Sequence, residues 1–292
     1  MTQTASTSAE RPSRGQAWLM AVRPATLPAA VGPVLVGLAV AVGMGVFEPL
    51  AALACLAVAL LLQVASNVAN DLSDFRSGVD DEHRLGPPRA AALGYLSVRE
   101  MLVGLAVVVG LAGLVGLYLV WLGGVVVLVL GIAAIVSAFA YSGGPWPYGY
   151  HGLGEVFVFI FFGLVAVAGT TYLQTLTWEP LAVVAAIPVG ALITAILVIN
   201  NLRDIDTDAA AGKRTLAVML GEHGTMSEYD LLLGVAYAVP VALVIAGEAS
   251  LAALLPLATL PMALALFRMV HLGGDPRRLN PVLQQTARLS LF

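Results

Sequence analysis

The sequence predicts an all-α fold, a multi-pass transmembrane helical bundle. Only 11% of its 292 residues are charged, whereas charged residues make up ~25% of a typical soluble domain. The mean hydropathy of +0.91 points the same way. The few charges also divide the chain into uncharged stretches, most of which reach the ~20 residues that one helical crossing of a bilayer requires.

These stretches give the elements in order. Residues 1–16 are polar and lack the apolar core of a signal peptide, so we expect a disordered tail, followed by a single transmembrane domain over residues 17–292. Eight spans are expected, in residues 24–47, 49–70, 101–154 (two crossings joined near Trp121, Gly123 and Gly124), 156–178, 181–202, 231–247 and 249–267. The last stretch, 280–292, is only ~20 Å long as a helix. It is too short to cross a hydrocarbon core ~30 Å thick, and a short ninth helix is expected there.

The basic residues predict the orientation of the bundle. All fourteen Lys and Arg residues precede span one or lie in the connections after spans two, six and eight. The connections on the opposite face carry only Glu48, Glu179 and Glu248. Because cytoplasmic loops are rich in Lys and Arg, we expect the N-terminus and the polar loops to be cytoplasmic and the protein to lie in the plasma membrane. No basic patch indicates nucleic acid, and the single cysteine, Cys55, excludes a disulfide within the chain.

Two matching polar clusters end spans two and six. The first is Asn67, Asp71 and Asp74, and the second is Asn201, Asp204 and Asp208. Spacings of three and four residues place each set on one face of a helix. Since the two spans are four helices apart, two four-helix halves related by an axis along the membrane normal would bring both clusters to a common space.

Aspartate at the C-terminal end of a helix is unfavourable, so something must compensate these charges. Mg²⁺ prefers carboxylate and amide oxygens and leaves positions open for substrate phosphate, which predicts a diphosphate bridged by Mg²⁺. The alternative is a set of solvated carboxylates paired with Arg76 and Arg203. Four basic residues near the clusters are candidates for binding the diphosphate, although each is also explained as an ordinary residue of a cytoplasmic loop. They are Arg84, Arg89, Lys213 and Arg214.

Four segments resemble the signature segments of the UbiA superfamily of intramembrane prenyltransferases. They are "RPATLPAAVGPVLVG", "NVANDLSDFRSGVDDEHRLGPPR", "AYSGGPWPYGYHGLGEVFVFIFFGLVAVAGTTYLQT" and "NNLRDIDTDAAAGKRTLAVMLG". The resemblance covers about residues 23–288. "RLGPPR" after the first cluster and "GKRTLAV" after the second are typical of the branch that prenylates 1,4-dihydroxy-2-naphthoate in menaquinone biosynthesis.

The resemblance implies a Mg²⁺-dependent reaction of polyprenyl diphosphate with 1,4-dihydroxy-2-naphthoate inside a lipid bilayer. It implies that one Mg²⁺ is held by Asn67, Asp71 and Asp74 and the other by Asp204 and Asp208. The residues expected to carry the chemistry are Asp71, Asp74, Asp204, Asp208 and Lys213. Many superfamily members have a third acid where this chain has Gly78, which leaves the role of Asp80 open.

The aromatic acceptor must lie next to the ionising carbon, and the loop after span four offers aromatic rings for such a pocket. Tyr141, Tyr148, Tyr150 and Trp146 are the candidates, with an interfacial aromatic belt as the alternative. Arg23 is suited to pair with the acceptor carboxylate or to anchor the membrane edge. Glu155 is suited to act as a base, or simply to begin span five, where the helix dipole favours an acid.

Other readings of the sequence remain. One is a superfamily enzyme acting on 4-hydroxybenzoate or homogentisate. A second is a multi-pass transporter, but transporters place ionisable residues near the bilayer midplane, whereas nearly all of these charges fall at helix ends or in loops. A third, a CDP-alcohol phosphotransferase, has a single Asp motif of a different arrangement.

Overall fold

The computed structural model describes residues 12–77 and 85–291, and within them all regular structure is helical. The α-helices are α1 (Arg14–Val22), α2 (Pro28–Gly43), α3 (Pro49–Ser77), α4 (Val98–Ala140), α5 (Gly154–Val158), α6 (Ala166–Thr175), α7 (Pro180–Arg203), α8 (Ile205–Ala210), α9 (Leu216–Ile245), α10 (Leu260–Val270) and α11 (Leu279–Leu289). A π-helical stretch, Phe159–Val165, joins α5 to α6. Four 3₁₀ segments lie between the helices, at Pro24–Thr26, Tyr148–His151, Leu251–Thr259 and Pro276–Arg278.

Helix α4 contains two membrane crossings. Its 43 residues would span ~65 Å at 1.5 Å per residue, about twice the thickness of a hydrocarbon core. Gly124 interrupts it with φ 73° and ψ −159°, a conformation that is readily available only to glycine. The junction expected near Trp121, Gly123 and Gly124 is therefore confirmed.

The remaining spans also match the expected ones. Six helical segments are long and apolar enough to cross a membrane, and the bent pair Arg14–Thr26 and Pro28–Gly43, with 46° between its parts, adds a seventh. Counting α4 as two crossings, the described residues hold eight spans. The all-α, multi-pass class is thus confirmed, whereas the division into two four-helix halves remains a prediction.

The first helix begins earlier than the expected end of the tail. Ser13 caps α1 and forms a capping box with Gln16, so residues 14–16 are helical. Trp18 on this helix packs so closely on Gly104 of α4 that a Cβ there would lie 2.2 Å from the ring. This contact fixes the chain that leads into Arg23 and the first span.

The short ninth helix is α11. It buries Leu279, Val282 and Leu289 against the core formed by α7, α9 and α10. The Tyr229 hydroxyl, on α9, lies 3.0 Å from the Thr286 hydroxyl. Although it is too short to cross the membrane, α11 is a packed part of the bundle.

The two ends of the bundle differ in chemistry. At one end, Gln174 exchanges hydrogen bonds with the backbone of Glu48, and the Tyr172 hydroxyl donates to the carbonyl of Gly123. The connections after spans one, three and five therefore meet there. The connections after spans two, four, six and eight meet at the other end, where the aspartate clusters lie.

Candidate active site

The first cluster occupies the last turns of α3, and its side chains are buried. Asn67, Asp71 and Asp74 are 5%, 1% and 5% exposed. Asp74 Oδ2 accepts a 2.5 Å hydrogen bond from Arg89 Nη1, and Asp74 Oδ1 accepts a 2.6 Å bond from the Tyr150 hydroxyl. Helical spacing brings the three residues to one face, while the two partners of Asp74 come from two other segments of the chain.

The second cluster lies where α7 ends and α8 begins. Asp204 is the non-helical joint between them, with φ −100° and ψ 11°. Its carboxylate accepts bonds of 2.8 and 2.5 Å from Nε and Nη2 of Arg203. Asp208, one turn further, pairs with Lys213 at 3.3 Å. Burial raises the pKa of Asp208, and Lys213 opposes that rise, so a cation beside this carboxylate stabilises its charged form.

Tyr150 joins the two clusters. Its hydroxyl donates to Asp74, and its ring lies 4.6 Å below Lys213 Nζ, which in turn pairs with Asp208. The backbone N–H of Arg214 donates to the carbonyl of Tyr150 at 2.9 Å. One tyrosine and one lysine therefore separate the carboxylates of the two clusters, which face a common space.

A central cavity of about 450 Å³ opens at this point. We call its polar upper end the rim, which consists of Asn67, Asp74, Arg89, Tyr150, Asn201, Asp204, Asp208 and Lys213. Below the rim the lining is mostly apolar and comes from α2, α3, α4, the π-helical stretch and α6. Along α4 the lining runs from Tyr141 to Val127, about 20 Å at 1.5 Å per residue. The cavity thus combines charge at one end with a long apolar slot.

Most of the predicted site residues line this cavity. They are Arg23, Asn67, Asp74, Arg89, Tyr141, Tyr148, Asp204, Asp208 and Lys213. Asp71 and Glu155 are buried and are not among the lining residues, and the Arg214 side chain is exposed and does not line the cavity either. Arg84 and Asp80 lie outside the described residues.

The aromatic loop after α4 forms one wall. Tyr148 stacks on Phe157 at 4.2 Å and meets Tyr141 edge-on at 5.5 Å. The Tyr148 hydroxyl lies 2.8 Å from that of Ser137. Burial raises the pKa of Tyr141 and of Tyr148, so both phenols stay protonated. Trp146 instead is 55% exposed and stacks on His151, away from the cavity.

Arg23 enters the cavity from the first span. It ends α1 with φ 52°, a left-handed conformation that non-glycine residues seldom adopt. The packing of α1 before it and Pro24 after it hold this turn, which places the residue in the cavity lining. Strained backbone of this kind is often found at functional sites.

Sequence reasoning missed the part played by Arg203 and Asn280. Arg203 is 2% exposed and donates to Asp204, to Asn200 and to Asn280 Oδ1. Asn280, on α11, also donates to the carbonyl of Leu85 at 3.0 Å. The pairing of Asp204 with Arg203 is the alternative raised by the sequence, and it is present in the structure. The link to Asn280 crosses 77 residues, and no local pattern signals it.

The donor set fits Mg²⁺ when the metal is shared with a diphosphate. Within residues 12–77 and 85–291, no three His, Cys, Asp or Glu side chains lie close enough to hold a metal ion. Mg²⁺ is often bound through only one or two carboxylates together with substrate phosphates and water. At the cavity the first cluster presents the Asp74 carboxylate and the Asn67 amide, and the second presents Asp204, Asp208 and the Asn201 amide, which is the kind of set this mode requires. Arg89 and Lys213, which pair with Asp74 and Asp208, line the same cavity.

This fold and cavity define a class: a polytopic membrane protein with a charged pocket at one bilayer face and an apolar slot beneath it. The chain belongs to the UbiA prenyltransferase family, whose profile matches residues 30–291. Recognition of the family from its signature segments is thereby confirmed.

Relatives of known function cover nearly the whole chain. A 1,4-dihydroxy-2-naphthoate octaprenyltransferase of Escherichia coli is 40% identical, over 96% of this chain and 93% of its own length. The enzyme of the same name from Mycobacterium tuberculosis is also 40% identical, over 92% of this chain and 91% of its own length.

Solved structures show the same fold. A UbiA homologue from Aeropyrum pernix has a TM-score of 0.67 at 18% identity, covering 93% of this chain and 96% of that one. A UbiA homologue from Archaeoglobus fulgidus, bound to GPP and Mg²⁺, has a TM-score of 0.66 at 14% identity, covering 96% and 99%. At these identities the likeness concerns the fold alone.

Proposed function

We propose that this protein transfers a polyprenyl group from polyprenyl diphosphate to 1,4-dihydroxy-2-naphthoate, with release of CO₂ and diphosphate, to give demethylmenaquinone in its reduced, quinol form. The observation that carries the proposal is the meeting of two aspartate clusters over one apolar cavity, linked by Tyr150 and Lys213. The two relatives named 1,4-dihydroxy-2-naphthoate octaprenyltransferase, at about 40% identity over more than nine-tenths of the chain, support this choice of acceptor.

The rim binds the diphosphate. Asn67 and Asp74 on one side and Asp204 and Asp208 on the other line the cavity and would hold Mg²⁺, with Arg89 and Lys213 donating to phosphate oxygens. Asp71, which is buried outside the lining, would join the first set only if its side chain turned toward the cavity. When bound, Mg²⁺ would neutralise the negative charge that develops on the departing diphosphate. Fixed cations in a buried site need little reorganisation during the reaction, which makes electrostatic stabilisation effective here. Arg84 and Arg214 are further candidates for phosphate contacts.

The cavity below the rim holds the prenyl chain and the reacting carbon. The allylic C–O bond breaks and its electron pair leaves with the diphosphate, while the electron-rich ring supplies the pair for the new C–C bond. The carboxyl group departs as CO₂ and returns its bonding pair to the ring. Tyr141, Tyr148 and Phe157 wall this space and keep water from the cation.

Arg23 is suited to bind the acceptor carboxylate, because its cationic side chain is part of the cavity lining. The rim would open to the cytoplasm, since all Lys and Arg residues lie at that end of the predicted spans. The protein would then reside in the cell membrane, where both the bilayer and the lipid substrate are its partners.

The test is an acceptor panel. Purified protein is incubated with Mg²⁺, farnesyl or longer diphosphates, and 1,4-dihydroxy-2-naphthoate, 4-hydroxybenzoate or homogentisate, and products are identified by mass spectrometry. We expect the prenylated and decarboxylated naphthoquinol alone. Turnover of one of the other acceptors, without the naphthoate, would assign the chain to another branch of the family. Solute flux in proteoliposomes without any prenylated product would instead indicate a transporter.

A further inference from the structure

Two asparagines of the rim are held by their amide nitrogens. Asn67 Nδ2 donates to the carbonyl of Val22 and to the hydroxyl of Thr26, both at 2.9 Å. The Thr26 hydroxyl donates its own hydrogen to the carbonyl of Arg23, so it can only accept a hydrogen bond from Asn67. Both amide hydrogens of Asn67 are therefore committed, and its Oδ1 must face the other way.

Asn201 has the corresponding position in the second cluster, and a carboxylate holds it. Its Nδ2 donates to Glu155 Oε1 at 2.7 Å. Because Glu155 Oε1 is the acceptor, the amide cannot turn its own oxygen toward Glu155 without losing this bond. Asn67 and Asn201 both line the central cavity. In the described part of the chain, no hydrogen bond from another group reaches Oδ1 of either residue.

Glu155 does not itself reach the cavity. It is 4% exposed at the start of α5 and is not among the lining residues, whereas Asn201 is. Its side-chain hydrogen bond to a lining residue is the one to Asn201, so its geometric effect on the site passes through that residue. This geometry differs from that of a base, which would need contact with the acceptor.

We infer that Glu155 is a positioning residue: it fixes the amide of Asn201 so that the carbonyl oxygen faces the cavity as a third oxygen donor of the second cluster. The inference rests on the proposed function, since it concerns a cation held at the rim. Partners that orient a metal ligand are worth ~10–100-fold in metal affinity. Loss of the bond to Glu155 frees the Asn201 amide to rotate and lowers the metal affinity of the second cluster by that factor.

Two variants separate orientation from charge. Glu155→Gln keeps an acceptor oxygen at the same reach but removes the charge, whereas Glu155→Asp keeps the charge but withdraws the carboxylate from Asn201 by one methylene. Binding of Mn²⁺ in the presence of inorganic diphosphate is measured by electron paramagnetic resonance on the full chain in detergent. We expect affinity near that of the unchanged protein for Glu155→Gln and a loss of ~10–100-fold for Glu155→Asp.

Glu228→Gln is the matched control, because it changes a half-buried carboxyl group near Glu155 that makes no hydrogen bond to Asn201. If Glu155→Asp fails to fold, as judged by thermal unfolding and gel filtration, Glu155→Leu removes the acceptor in apolar form. Three results would each overturn the inference. They are an equal Mn²⁺ affinity in all variants, an equal loss of affinity in Glu155→Gln and Glu155→Asp, and a loss of affinity in Glu155→Gln alone. Absence of Mn²⁺ binding in the unchanged protein would instead overturn the proposed function as well.

Discussion

Each of the three carboxylates in the rim has a cationic partner. Asp74 is bound by Arg89, Asp208 by Lys213, and Asp204 by its neighbour Arg203. Such pairing offsets the cost of burying these charges. Arg89 and Lys213 also line the cavity that both clusters face, so a phosphate group bound there would compete with the carboxylates for these two cations.

Asp208→Asn is expected to lower kcat by ~10²–10³, the typical cost of losing one group that stabilises charge in the transition state. Asp206→Asn is the matched control, because Asp206 lies on the same helix but is exposed and outside the cavity lining. Steady-state turnover of the naphthoate measures both. Similar losses in the two variants would mean that the charge of α8 as a whole, and not its place at the rim, matters.

The sequence predicts the aspartate clusters well, because helical spacing is a local property that can be read from Asn67, Asp71 and Asp74 alone. It does not predict their partners, because Arg89 and Tyr150 are 15 and 76 residues away from Asp74. The sequence also does not distinguish a residue that lines a cavity from a buried residue next to the lining. Asp71 and Glu155 illustrate this, since both were expected at the surface of the site and are not among the lining residues.

At the scale of elements, the π-helical stretch is the feature that hydrophobic periodicity cannot predict. It occurs where Gly163 packs against Gly190 of α7, and a Cβ at Gly163 would lie 2.8 Å from the Gly190 Cα. This stretch also presents Phe161 and Phe162 to the cavity. π-Helical segments within helices are frequent at functional sites.

Gly163→Ala is expected to push this stretch away from α7 and to destabilise the protein by ~1–3 kcal/mol, the usual cost of overpacking. For a protein of this size that corresponds to a fall in Tm of a few degrees, measured by thermal unfolding in detergent. Gly113→Ala in α4 is the control, because its Cβ would meet no atom within 4 Å. An unchanged Tm for Gly163→Ala would show that the glycine contact does not constrain the stretch.

The short helix α11 lines the cavity with Leu283 and reaches the second cluster through Asn280. Asn280→Ala removes the acceptor of Arg203 Nη1 and the donor to the Leu85 carbonyl. Because a buried donor left without a partner costs ~1–3 kcal/mol, we expect a lower Tm together with a higher KM for the prenyl diphosphate. Gln284→Ala, an exposed position on the same helix, is expected to change neither quantity. A change in Tm without a change in KM would limit α11 to a packing role.

At the scale of the whole molecule, the predicted orientation has a direct test. In a Cys55→Ala background, Asp206→Cys lies at the rim end and Thr177→Cys at the opposite end, and both native side chains are exposed. If the rim is cytoplasmic, a membrane-impermeant thiol reagent added to intact cells labels Thr177→Cys alone. Labelling of Asp206→Cys instead would reverse the orientation.

The sequence predicts the whole architecture in outline, because uncharged stretches and their breaks are the main constraint on a chain in a bilayer. The eight spans, the break near Gly124 and the short ninth helix follow from this. Which spans enclose the cavity does not, because that depends on how far side chains such as Trp18 and Tyr229 reach between helices.

The central claim is that both clusters hold one and the same diphosphate. A double-mutant cycle on Asp74→Asn and Asp208→Asn tests it, with the affinity for inorganic diphosphate in saturating Mg²⁺ measured by titration calorimetry in detergent. If one diphosphate bridges both clusters, the losses of binding free energy in the two single variants are non-additive by ~0.5–3 kcal/mol, as for residues that share a partner. Losses that add within ~0.5 kcal/mol would mean that the clusters act independently, and would contradict the account.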